Sequence, residues 1–186
     1  EISSGTTFYT DAMGIATGVP TGNATLMMQG KWCDVRTGST TPQMTSNISG
    51  NPTVSFDANS TDRERTAYYH INIIHDFVKA QPQLVAYTTA DVPMNTIVDV
   101  SGSCNAFYNG NCNFYAAGGG CNATALLNDV MYHEYGHGLN YDVYSYYGQT
   151  FNNGAMGEGY GDIWAFSINN SPIIGKGFYT ANQDGI

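Results

Sequence analysis

The residues with the clearest chemical potential are two histidines and a glutamate in the run Tyr132-His133-Glu134-Tyr135-Gly136-His137-Gly138. Four residues along an α-helix amount to about 400° of rotation and roughly 6 Å of rise, so His133 and His137 leave one face a turn apart. Ring nitrogens at that separation grip one small cation, and Glu134 is close enough to act on a water beside it. Paired histidines also occur on helices that bind nothing, so a third ligand has to decide. Glu158 offers one, in Gly154-Ala155-Met156-Gly157-Glu158-Gly159-Tyr160-Gly161-Asp162. Glu158 and Asp162 are again four apart, and the chain between His137 and Glu158 is long enough for a loop and a returning helix. Two imidazoles and one carboxylate suit zinc better than calcium or magnesium and leave a fourth position open. Water at such a site ionises near neutral pH, with Glu134 as the non-ligating general base. Asp162 is expected to accept a hydrogen bond from the far nitrogen of His133 or His137, fixing tautomer and ring orientation.

Other elements must carry these groups. The central helix is expected to start near Asn122 to Thr124 and run to His137, with Gly138 as its cap. The apolar run Ile163-Trp164-Ala165-Phe166 places Glu158 on a second, buried helix over about 157–168. Earlier, Thr61 and Glu64 fit a capping box, and Tyr68, Ile71, Ile74 and Val78 share one face of a helix that Pro82 stops. That helix, about 61–80, carries His70 and His75, whose five-residue spacing points them in different directions. Both read as polar histidines at a core edge. Short β-type runs are expected at 6–10, 24–28, 52–56, 84–88 and 95–100. Asn109-Gly110, between aromatic runs, marks a hairpin. The reading divides the chain into a β-rich part, 1–122, with one long helix, and a helical part, 123–186, that holds the zinc ligands.

Bulk properties narrow the class. The 186 residues are 42% hydrophobic but only 11% charged, and Tyr, Asn, Ser, Thr and Gly supply most of the polarity. That suits a loop-rich secreted protein. With a net charge of −9 there is no basic surface to hold nucleic acid or an anionic membrane. No segment approaches the roughly 18 consecutive apolar residues of a membrane span. The start, Glu1-Ile2-Ser3-Ser4, reads as a processed one. Cys33, Cys104, Cys112 and Cys121 are even in number and form no C-x-x-C pair, which favours two disulfides without choosing among the three pairings. Asn23, Asn47, Asn59, Asn122 and Asn169 stand in glycosylation sequons.

Taken together, His-Glu-Tyr-Gly-His-Gly and Gly-Ala-Met-Gly-Glu-Gly-Tyr-Gly-Asp resemble the gluzincin metallopeptidases of the thermolysin-like kind, and the spelling is most similar to the fungalysin family. The resemblance covers about Ala67 to Phe166. It implies an α+β fold: a zincin-like N-lobe with a β-rich sheet, a long helix, the active-site helix and then the third-ligand helix. It assigns zinc to His133, His137 and Glu158, the general base to Glu134 and histidine orientation to Asp162. Asn105-Ala106-Phe107-Tyr108 resembles the edge strand that pairs with substrate backbone in this family, which makes Asn105 and Ala106 substrate contacts. The pattern departs at Gly157, where thermolysin-like chains carry Asn. Asp129 stands where one calcium ligand would, but most other acidic residues of such sites are missing. The family's helical C-terminal lobe, with its oxyanion-stabilising histidine, is expected to be missing, so that the catalytic unit is incomplete and associates with that lobe or with a removed propeptide.

The expected function is secreted zinc endopeptidase, acting on peptide or protein substrates. A zinc-stabilised module that binds peptides without turnover is the alternative. An aminopeptidase would need an acidic anchor for a free amine, and no G-A-M-E-N-like run supplies one.

Overall fold

The computed structural model describes residues 1–85 and 90–186. Two four-stranded sheets and three α-helices are defined among them. The first sheet contains β1 (Ile2–Ser3), β2 (Thr7–Phe8), β3 (Gly22–Met27) and β5 (Gln43–Ile48), all antiparallel, in the order β2-β1-β3-β5. The second contains β4 (Cys33–Thr37), β6 (Met94–Val100), β7 (Ala106–Tyr108) and β8 (Cys112–Tyr115), in the order β4-β6-β8-β7. Strands β4, β6 and β8 run parallel, and β7 pairs antiparallel on the β8 edge.

Helix α1 (Asp62–Lys79) begins as its sequence dictates. Thr61 accepts from the Glu64 N–H at 3.2 Å, and the Glu64 carboxylate accepts from the Thr61 N–H at 2.7 Å. Ile71, Ile74 and Val78 are fully buried against Val35, Val98 and Phe114 of the second sheet. Met131, Tyr132, Tyr135 and Leu139 of α2 (Asn128–Tyr146) close the same core. That apolar side of α2 turns the opposite side, with His133 and His137, toward α3 (Gly154–Asn169). Asn153 caps α3 by accepting from the Met156 N–H at 3.0 Å, and Asn170 ends it in the left-handed conformation.

Several expectations need correction. No strand forms at 52–56; Val54 and Phe56 lean instead on a small cluster of Ala24, Leu26 and Ile48. The strand expected at 84–88 lies largely on 86–89, outside the described residues, and Leu84 belongs to a turn closed onto the Gln81 carbonyl. Helix α2 starts later than expected, because Thr124–Leu126 forms a 3₁₀ turn and Leu127 is extended. It also runs through Gly138 to Tyr146, so Gly138 is internal rather than a cap. Strands β4 and β5 had no clear sequence signal.

One disulfide forms, Cys104–Cys121, rather than two. Cys33 and Cys112 remain buried thiols, on β4 and β8 with β6 between them. Two strand spacings come to about 10 Å, beyond the roughly 7 Å that a disulfide spans between Cα atoms. Their burial pushes both thiols well above the usual range.

Candidate metal centre and substrate cleft

Helices α2 and α3 cross where neither has a side chain. A Cβ on Gly136 would lie 2.7 Å from Trp164 Cδ1 and 3.3 Å from the Gly161 Cα, and one on Gly161 would lie 2.8 Å from His133 Nδ1. Mid-helix glycine costs about 1 kcal/mol relative to alanine. Here it permits the close approach that brings three ligand atoms together. One nitrogen each from His133 and His137 and one oxygen from Glu158 all lie within 4.8 Å of one another. His133 Nε2 is 3.0 Å from Glu158 Oε2, and His137 Nε2 is 3.7 Å from Glu158 Oε1. The two imidazole planes stand nearly perpendicular, with centroids 4.7 Å apart.

The donor set fits a zinc ion on its own chemistry. His133 faces a carboxylate from each ring nitrogen: Nδ1 lies 2.9 Å from Asp162 Oδ1, opposite the Nε2 contact with Glu158. A neutral imidazole has one N–H to give. With Nδ1–H donated to Asp162, Nε2 is left as a lone-pair donor facing the Glu158 carboxylate, a pairing that a bound cation would satisfy without a second ring proton. Of the two histidines, it is His133 that Asp162 faces. Among the described residues no carboxylate pairs with His137 Nδ1; its acidic neighbours, Glu134 and Glu158, both face Nε2. Gly157 leaves the space beside its Nδ1 bare, and Phe151 fills the gap, 3.1 Å from where a Cβ at 157 would be.

Glu134 differs from Glu158 in setting. Its side chain is 8% exposed, against 69% for Glu158. Burial, and secondarily the Glu158 charge, pushes its carboxyl up to about 8. A divalent cation bound by the neighbouring His133, His137 and Glu158 would act in the opposite sense, favouring the carboxylate. His137 is held below the usual imidazole range, first by burial and then by His133, which favours the neutral ring that ligates a metal.

The same residues line a cleft of about 940 Å³, together with Asn105, Ala106 and Tyr108. The Asn105 carbonyl is committed inward, accepting from the Tyr115 N–H at 3.3 Å and from Thr124 Oγ1 at 3.0 Å. Its side chain is exposed. Alternation along an antiparallel pair then turns the N–H and C=O of Ala106 to the open edge. Thr124 belongs to the 3₁₀ turn leading into α2, and it ties the edge strand to the ligand helix.

The remaining histidines lie elsewhere. His70 Nδ1 is 2.6 Å from the Tyr132 hydroxyl, and His75 is buried, stacked on Trp32 at 4.0 Å. Asp129 accepts from the N–H groups of Val130 and Gly175, both at 2.8 Å. Tyr144 and Tyr146 lie on α2, and Tyr144 packs on Phe151. Sequence reasoning passed over the wall formed by Tyr108, Tyr141 and Phe151, and over Gly136 and Gly161. The only signal was glycine at positions that had to be helical.

Two imidazoles, a carboxylate on a crossing helix and a buried acid beside them are the components of a mononuclear metallohydrolase centre. The catalytic-domain model of the thermolysin metallopeptidases matches residues 3–141, most of the chain, and the chain belongs to that family. Among solved structures it is similar to the precursor of protealysin, a metalloproteinase from Serratia proteamaculans. The sequence identity is 19% and the TM-score 0.58, over 78% of this chain and 47% of that one. That likeness supports the fold, and this chain spans about half the length of the protealysin precursor. No curated protein sequence gives a significant match.

Proposed function

We propose that the chain carries the zinc centre of a secreted endopeptidase, closest in its motifs to the fungalysin branch of the thermolysin-like peptidases. The observation that carries the reading is the meeting of His133, His137 and Glu158 beside buried Glu134, in one cleft with the open edge of β7. His133, His137 and Glu158 hold the metal. Zinc bound there supplies a Lewis acid that polarises a carbonyl and makes water a nucleophile near neutral pH.

The protein's own groups do the rest. Glu134 takes a proton from the attacking water and delivers it to the leaving nitrogen. Asp162 holds His133 in the tautomer that presents Nε2 to the metal. Ala106 pairs with an extended substrate backbone, and Asn105 contacts it through its side chain. Secretion is supported by the Cys104–Cys121 disulfide and by the sparse charge.

A second reading, a zinc-stabilised peptide binder with little turnover, is favoured by one observation. Among the described residues, neither His70 nor His75 lines the cleft where a histidine could donate to an oxyanion, and removing one such donor from a peptidase site costs about 10²–10³ in rate. The two readings separate in one experiment: chelation followed by zinc titration, with cleavage of an unfolded protein followed by mass spectrometry. The endopeptidase reading expects internal cuts that disappear on chelation and return with one equivalent of zinc. Stoichiometric zinc and peptide binding with no cuts would leave only the binder.

A further inference from the structure

We infer that the Cys104–Cys121 disulfide positions the edge strand of the cleft for peptide pairing, and that breaking it weakens peptide binding while the metal centre stays loaded. Strand β7 is only three residues long and closes its sheet, paired on one side. Its ladder sets Ala106, Phe107 and Tyr108 against Phe114, Asn113 and Cys112. So short a pairing is weak by itself, and the direction of its first residues is set from outside the ladder.

Two tethers set it, at Asn105 and Cys104, and both come from the stretch 121–124. Thr124 Oγ1 donates to the Asn105 carbonyl at 3.0 Å, and the Cα atoms of Cys104 and Cys121 stand 5.3 Å apart across the disulfide. Cys121 is the fixed post. It is 1% exposed, and its own N–H and C=O are both bonded to Gly118. On either side of it, the Gly120 carbonyl accepts from the Thr180 N–H and the Asn122 N–H donates to the Phe178 carbonyl, both at 2.9 Å. Cys104 is the tethered end. Its φ of 58° lies in the left-handed region that residues with a Cβ seldom adopt. Once released from Cys121, residue 104 regains the extended region, and the alternation of N–H and C=O that begins at Asn105 loses its fixed direction.

This bond is also the sulfur chemistry that a reagent can reach. Cys104 is half-buried and lines the cleft, whereas Cys33 and Cys112 are fully buried thiols. A thiolate of a dithiol attacks Cys104 Sγ, and Cys121 leaves as a thiolate and takes up a proton. The second thiolate of the reagent then releases Cys104 and closes the reagent's own disulfide. Two electrons and two protons pass to the protein.

The inference rests on the proposed role of β7 in peptide binding, and its test separates the two. Zinc-loaded protein carrying Glu134→Gln, which slows cutting of the probe, is titrated with a fluorescently labelled unstructured peptide. Titrations are made before and after treatment with dithiothreitol, with the reagent removed and zinc restored to one equivalent each time. The same titration on Cys104→Ser/Cys121→Ser supplies a permanently open form. Loss of this preorganisation is expected to weaken binding about tenfold in both open forms, with one zinc retained and the affinity restored by reoxidation. Equal affinity before and after reduction overturns the inference and leaves the endopeptidase reading standing. Zinc lost together with the bond would make the disulfide a general brace, and overturns the inference too. Weaker binding after reduction, in a protein whose parent makes no internal cuts, keeps the tether and defeats the endopeptidase reading.

Discussion

The two sheets of this molecule do different work. The second lies on the main core, with Val35, Val98 and Phe114 packed against α1 and α2. Its last strand pair runs directly into the cleft. The first sheet has a core of only Ala24, Leu26 and Ile48, with a fringe of partly buried neighbours, and none of its residues lines the cleft. A metal centre needs ligands held to within a fraction of an ångström, and the candidate ligands lie where two helices and a sheet share one packed interior. The first sheet stands apart from that requirement.

The contrast can be broken in graded ways. Replacing a ligand has the largest expected effect: His137→Ala should lose stoichiometric zinc, measured by metal analysis after dialysis, and with it all metal-dependent hydrolysis. Next comes the helix crossing. Gly161→Ala drives a methyl group into His133, and such overpacking costs about 1–3 kcal/mol. The expected outcome is weaker zinc affinity in a competition assay together with a lower thermal midpoint. If zinc affinity were unchanged, the crossing would not be what sets the ligand geometry. The smallest effect on the centre should come from the first sheet. Leu26→Ala, at a nearly buried position, should cost about 2 kcal/mol of stability yet leave the zinc content and affinity of the folded protein as they were. A loss of zinc there would erase the distinction between the sheets.

What the sequence disclosed follows the range of the interactions involved. Helix α1 was legible because its capping box and apolar stripe are local. The β7–β8 hairpin was legible from Asn109-Gly110, and Gly110 indeed takes a positive φ of 99°. The five residues expected at the centre were brought to one place, because helical spacing already aligned each pair and only the crossing remained to be made. The failures involve partners far away in sequence. Gln43–Ile48 is polar enough to read as loop and becomes a strand only by pairing with β3. The second disulfide failed because β6 separates Cys33 from Cys112, a relation that no spacing rule contains. Gly138 read as a helix end because glycine usually is one, whereas here it makes room for Tyr108. The glycines at the crossing were visible in the sequence, but their purpose depended on Trp164 and on the His133 ring.

The central claim is that Glu134 performs proton transfer beside a metal held by other residues. Glu134→Gln keeps the size and burial of the side chain and removes its basicity. Zinc content and the rate of zinc-dependent peptide cleavage should be measured on this variant and the parent side by side. The account predicts one zinc retained in both and a rate lower by about 10²–10⁴ in the variant, the usual range for a lost general base. Equal rates, with zinc retained in both proteins, would contradict it.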